Sequence, residues 1–169
     1  MELSGKLTAK NFYLLILSFF GTGFISKKMP GTVGSIFATL IVLTIFHTPK
    51  ILLLFSVISF VVGALFCDLY IIKNKYETNR DPSYAVIDEA AGIFFGAYLL
   101  TLFLNVTPIA IVVNFCLFRI FDIFKPSPIR NIEMAMKKKD STVGVGIMFD
   151  DILAAVFAST LQIIISKCF

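Results

Sequence analysis

Five acidic residues lie where the chain passes between polar and strongly apolar sequence: Asp88-Glu89, Asp122 and Asp150-Asp151. A carboxylate beside a membrane-type apolar segment is costly, so it faces a bundle interior, pairs with a cation or binds an ion. Lys and Arg could neutralise these acids as solvated helix ends. The adjacent acids of Asp88-Glu89 and Asp150-Asp151 favour a shared cation, because each pair is followed by long apolar sequence and repels itself. Oxygen-only donors suit Mg²⁺, which takes a few carboxylates, keeps several waters and accepts substrate phosphate oxygens. Zinc would draw on His and Cys. The one histidine, His47, falls in an expected turn on the opposite face.

Groups suited to phosphate stand beside these acids. Arg119 and Asp122 are three apart and share a helix face, and Lys125 and Arg130 follow at the helix exit. Arg119 reads either as a phosphate ligand or as the partner of Asp122. Lys125 and Arg130 read as phosphate ligands or as headgroup anchors. Pro30-Gly31-Thr32-Val33-Gly34-Ser35 opens another helix, where exposed N–H groups favour an anion and Thr32 and Ser35 could add hydroxyls. It lacks the Gly-Lys-Ser/Thr ending of a nucleotide-binding loop. A histidine phosphatase would need a histidine on the acidic face. A cysteine phosphatase would need a thiol in a phosphate loop, but Cys67 and Cys116 sit inside apolar segments. Metal-assisted hydrolysis by carboxylates remains.

The elements that must position these residues are apolar helices. Of 169 residues, 57% are hydrophobic and 15% charged, against about 25% charged in soluble domains. Mean hydropathy is +0.89. The pattern predicts an all-α polytopic membrane bundle forming a single domain over 1–169. Asn11–Ile25 is too short to cross comfortably and is broken by Gly21 and Gly23, so it reads as an interfacial or re-entrant helix. About five helices follow: Val33–Phe46, Ile51–Ile72, one from an Asp81-Pro82 cap to about Leu104, Ile109–Phe124, and Ile147–Ser166. The three cysteines read as buried apolar residues, with no disulfide framework. No small-residue cleavage pattern of a signal peptide follows Met1–Lys10.

With the first segment not crossing, all 15 Lys and Arg except Lys50 and Lys167 fall on the acidic side. The positive-inside rule places that side in the cytoplasm. The net charge of +4, carried in short loops between apolar segments, suits anionic lipid headgroups rather than nucleic acid.

Three blocks resemble the phosphatidylglycerophosphatase A family. They are Gly21-Thr22-Gly23 through Pro30–Ser35; Val86-Ile87-Asp88-Glu89 with Gly92; and Phe118–Asp122, Lys125-Pro126, Pro128-Ile129 and Gly144–Asp151. Lys137–Val143 departs from the family's short Gly-Gly approach to the last block. The resemblance implies an all-helical bacterial inner-membrane enzyme that hydrolyses phosphatidylglycerophosphate to phosphatidylglycerol and phosphate with Mg²⁺. It implies metal ligands at Asp88, Glu89, Asp122, Asp150 and Asp151, and phosphate contacts from Arg119, Lys125 and Arg130. Glu89, Asp150 and Asp151 are the candidates for general base. The competing reading is a small cation transporter, which would need acids deep within polar helix faces.

Overall fold

The computed structural model describes residues 12–73, 84–127 and 143–168, and every regular element among them is helical. A short helix, α1, covers 12–17, and a 3₁₀ turn spans Thr22–Phe24. The longer helices are α2 (Pro30–Ile45), α3 (Pro49–Lys73), α4 (Ile87–Phe103), α5 (Pro108–Phe124) and α6 (Val143–Cys168). Proline opens α2, α3 and α5, where its missing N–H costs nothing and its φ is already helical. Thr107 Oγ1 accepts from the N–H of Ala110 and caps α5. Lys125 turns left-handed at its end, with φ 38°, and Pro126 cannot continue the helix.

Helices α2 to α6 run alternately up and down, so the starts of α2, α4 and α6 and the ends of α3 and α5 share one end of the bundle. Helix α4 is central and packs against the other four. Ala90, Ala91, Gly92, Gly96 and Ala97 give it a small-residue surface, all of it buried, which lets helix backbones approach closely. A Cβ on Gly92 would lie 2.7 Å from the Phe118 ring and 3.0 Å from the Asp151 carbonyl oxygen. Deeper in the bundle, Asn114 donates to Ser159 Oγ and Gln162 Oε1, Ser159 Oγ to the Gly96 carbonyl, and Gln162 to the Ala110 carbonyl.

Polar side chains thus join the apolar core inside, and large apolar side chains also cover the outside. Leu54, Val57, Ile58 and Val61 on α3, and Ile109, Val112 and Val113 on α5, are exposed. That exterior is stable in lipid and costly in water. Pro49–Leu69 and Gly144–Cys168 are each long and apolar enough to cross a membrane. Cys67 is buried, but Cys116 and Cys168 are exposed rather than buried as the sequence suggested.

The N-terminal segment enters and leaves at one end. Phe12 and Tyr13 meet Phe66 near the end of α3, Phe19 reaches Phe94, and Phe24 stacks on Tyr84. It turns back on itself instead of running through the bundle, as a short interfacial or re-entrant segment would. Its tip is left-handed at three successive residues: Phe19 (φ 46°), Phe20 (φ 59°) and Gly21 (φ 90°). Each non-glycine residue there costs about 1–2 kcal/mol. The packing of the Phe19 ring against Phe94 and the bond from Gly21 N–H to Ser18 Oγ offset that cost.

Three helix starts differ from the sequence reading by three residues or more. Helix α2 begins at Pro30, three residues early. Helix α4 begins at Ile87, not at Asp81-Pro82; residues 81–83 lie outside the described residues, and Tyr84–Val86 are not helical. The Val86 N–H donates to the Leu17 carbonyl at 2.8 Å, which holds this stretch against the N-terminal segment. Asp88 and Glu89 consequently fall in the first turn of α4, not the second. Helix α6 begins at Val143, so Gly144 and Gly146 are helical. Gly144 lies so close to α3 that a Cβ would overlap the Ala64 carbonyl, and its N–H donates to Asp68 Oδ1 at 2.8 Å. Asp68 thus caps α6 from a neighbouring helix.

Two predictions follow from this packing. Gly92→Val should lower stability by about 2–3 kcal/mol through overpacking; an unchanged thermal midpoint of the detergent-solubilised protein would contradict the close crossing. Asp68→Ala should cost about 1 kcal/mol, as lost helix caps do, while Asp68→Asn, which keeps an acceptor oxygen, should retain most of it in the same melt. Equal losses would rule out the cap.

Candidate active site

Four helix ends build one cleft. The first turn of α4 supplies Asp88 and Glu89, the last turns of α5 supply Asp122 and Lys125, α6 supplies Asp150 and Asp151, and the start of α2 supplies Pro30 and Gly31. The cleft encloses about 310 Å³. All five carboxylates expected from the sequence line it.

They are not equivalent. Asp88, Glu89 and Asp151 each offer a carboxylate oxygen within 4.8 Å of the other two. Asp122 pairs with Arg119 at 2.7 Å, as their three-residue spacing on one helix face allowed. Asp150 pairs with Lys125. Arg119 Nη1 also lies 3.8 Å from Glu89 Oε1. Glu89 Oε2 is buried without a hydrogen-bond partner among the described residues. An unsatisfied buried carboxylate oxygen is costly, and this one belongs to the three-carboxylate group. The donors are all hard oxygens, so the group fits a small divalent cation.

Arg119 does not line the cleft. Its guanidinium donates to Ser35 Oγ at 3.2 Å and to Thr32 Oγ1 at 3.4 Å, and Ser35 Oγ donates on to the Gly31 carbonyl. Thr32, Ser35 and Arg119 therefore meet one another behind the cleft wall and tie α2 to α5. Helix α2 has no side-chain cap, and Pro30 and Gly31 stand on the rim. A Cβ on Gly31 would overlap Glu89 Oε1, so a larger residue there would displace the Glu89 carboxylate. Lys125 lines the cleft, and Arg130 lies outside the described residues. His47 sits in the turn after α2, at the far end of the bundle.

Asp68 escaped the sequence reading. Its signal was present: a lone acid inside the apolar run of α3. Its partner is a backbone N–H some 76 residues away, which no local pattern reveals.

The sequence model of the family described as phosphatidylglycerophosphatase A matches residues 15–166. A Bacteroides thetaiotaomicron protein provisionally named phosphatidylinositol-3-phosphatase is 36% identical over 157 residues, covering 88% of this chain and 89% of that protein. A Haemophilus influenzae protein named phosphatidylglycerophosphatase A is 33% identical over 156 residues, covering 90% of this chain and 88% of its own. No solved structure matches the chain. A family match that runs from the re-entrant segment to the last helix, at relatives' identities above 30%, makes this chain a member of the phosphatidylglycerophosphatase A family.

Proposed function

We propose that the protein hydrolyses the terminal phosphate monoester of phosphatidylglycerophosphate in a Mg²⁺-dependent reaction, at the cytoplasmic face of a bacterial inner membrane. The observation that carries this reading is the charge of the cleft. Among the described residues five acids meet at the cleft with two bases, Lys125 in its lining and Arg119 behind its wall, so acids outnumber bases by three. A divalent cation reduces that excess and gives an anionic phosphate a reason to enter.

Asp88, Glu89 and Asp151 would hold the ion. Bound there, Mg²⁺ would supply Lewis-acid polarisation of a phosphoryl oxygen and acidify water. The chain's own groups do the rest. Lys125 places an ammonium in the cleft to stabilise charge on the phosphoryl oxygens. The uncapped N–H groups at the start of α2 favour the same anion. Arg119 fixes Asp122 and the edge of Glu89 from behind. Asp150 lies outside the three-carboxylate group and off Arg119, so it is the carboxylate assigned to take the proton from the attacking water. The P–O bond to glycerol breaks, the leaving oxygen takes up the proton that Asp150 received, and the acyl chains stay in the bilayer beside the exposed apolar walls. Lys27, Lys28, Arg119 and Lys125 all lie at the cleft end, while Lys50 and Lys167 lie at the other, which supports a cytoplasmic cleft.

The acids among the described residues all sit at this one end, and the deeper polar groups bond to one another. That arrangement favours surface catalysis over a cation path. The Bacteroides relative favours a second substrate, phosphatidylinositol 3-phosphate, whose phosphate is also a monoester on an anionic phospholipid headgroup.

Detergent-solubilised protein should release phosphate from phosphatidylglycerophosphate in preference to phosphatidylinositol 3-phosphate. EDTA should abolish release and Mg²⁺ restore it. Full turnover in EDTA, or the reverse preference, contradicts the proposal. Asp150→Asn should lower kcat by about 10²–10⁴ without moving the half-activating Mg²⁺ concentration. Asp151→Asn should raise that concentration at least about tenfold, since even outer partners of a metal site cost that much. Interchanged phenotypes would exchange the two roles.

A further inference from the structure

The chemistry above leaves the segment between the left-handed tip and α2 unused. Within ten residues, Phe20, Phe24, Ile25 and Met29 are exposed by 78%, 51%, 65% and 55%. Lys27 and Lys28 are exposed in the same run. The segment is fixed in place from one side. Gly23 packs so tightly on the Tyr84 carbonyl that a Cβ would overlap it, and Phe24 stacks on the Tyr84 ring at 5.2 Å. Its other side is presented outward. Directly after Met29 come Pro30 and Gly31, which stand on the cleft rim.

Large apolar side chains interleaved with two ammonium groups match the boundary of an anionic bilayer. The apolar groups enter the acyl region and the lysines stay at phosphate depth. The exposed wall of α3 from Ile51 to Leu65 is apolar throughout and fits acyl chains alone. Among the described residues the cleft holds more acids than bases, which opposes an anionic lipid until cations on its rim offset it. Charge complementarity therefore selects the occupant.

We propose that Phe20–Met29 is a docking surface for an anionic phospholipid. Lys27 and Lys28 engage the phosphodiester nearest the acyl chains while the terminal phosphate monoester enters the cleft. This deepens the proposed function and rests on it.

Surface-dilution kinetics in mixed detergent micelles test it, with phosphatidylglycerophosphate varied as a mole fraction. The double variant Lys27→Gln/Lys28→Gln should raise the half-saturating mole fraction about fivefold to thirtyfold, the effect of losing one to two headgroup-level charges, with the fall in kcat/KM carried by KM. Lys27→Arg/Lys28→Arg should keep the wild-type value. A second arm needs no turnover: added phosphatidylglycerol should raise the thermal midpoint of wild type more than phosphatidylcholine does, and the Gln variant should lose that difference. An unchanged half-saturation with unchanged lipid stabilisation overturns the docking surface. So does a loss confined to kcat. Wild type inactive on phosphatidylglycerophosphate, but still stabilised through these lysines, would sink the substrate assignment and leave the docking surface standing.

Discussion

Mutual repulsion among carboxylates at one end of an apolar bundle is the constraint around which this molecule is organised. Asp88, Glu89 and Asp151 bring oxygens within 4.8 Å of one another although nothing in their covalent structure requires it. Two neighbouring acids are each given a cation, Asp122 by Arg119 and Asp150 by Lys125. Of the central three, Glu89 meets the edge of Arg119 at 3.8 Å. Such an arrangement stores unfavourable electrostatic energy, and perturbed acid clusters of this kind concentrate at functional sites. The bundle must be stable enough elsewhere to hold it.

That stability comes from close helix contact. Helix α4 carries Asp88 and Glu89 on a small-residue shaft that α5 and α6 approach at Gly92 and Gly96. The same crossing that seats Phe118 against Gly92 brings the backbone of Asp151 alongside, so packing and site geometry are one feature. Helix α6 is set along its axis by Asp68 at its start and by Ser159 and Gln162 further on. Helix α2 is pulled in by Arg119 through Ser35 and Thr32. Glycine at position 31 leaves room for Glu89. With lipid around an apolar exterior of this kind, interior polar bonds and small-residue contacts, not apolar burial from water, decide how the helices meet.

Much of this was legible in the sequence because it is local. Apolar run lengths gave the helices and the starts of α2, α3 and α5 within three residues, the one start taken from a proline, Asp81-Pro82, did not hold, and the acids at run ends gave the cleft. The Arg119–Asp122 pair followed from helical spacing. What was not legible depends on contacts distant in sequence. The delayed start of α4 comes from Leu17 holding Val86. The early start of α6 comes from Asp68 meeting Gly144. Thr32 and Ser35, read as phosphate contacts at a helix start, also accept from Arg119, a pairing more than 80 residues apart in sequence. The sequence also could not divide five similar acids into three that converge and two that pair with bases. That division depends on how far α5 and α6 slide past α4.

Locating the cation tests the account most directly. Crystals of the protein grown with Mn²⁺ in place of Mg²⁺, and measured for anomalous scattering, should show a peak bounded by the carboxylates of Asp88, Glu89 and Asp151. A peak at another place, or none at saturating Mn²⁺ while the carboxylates keep the positions described, would contradict it.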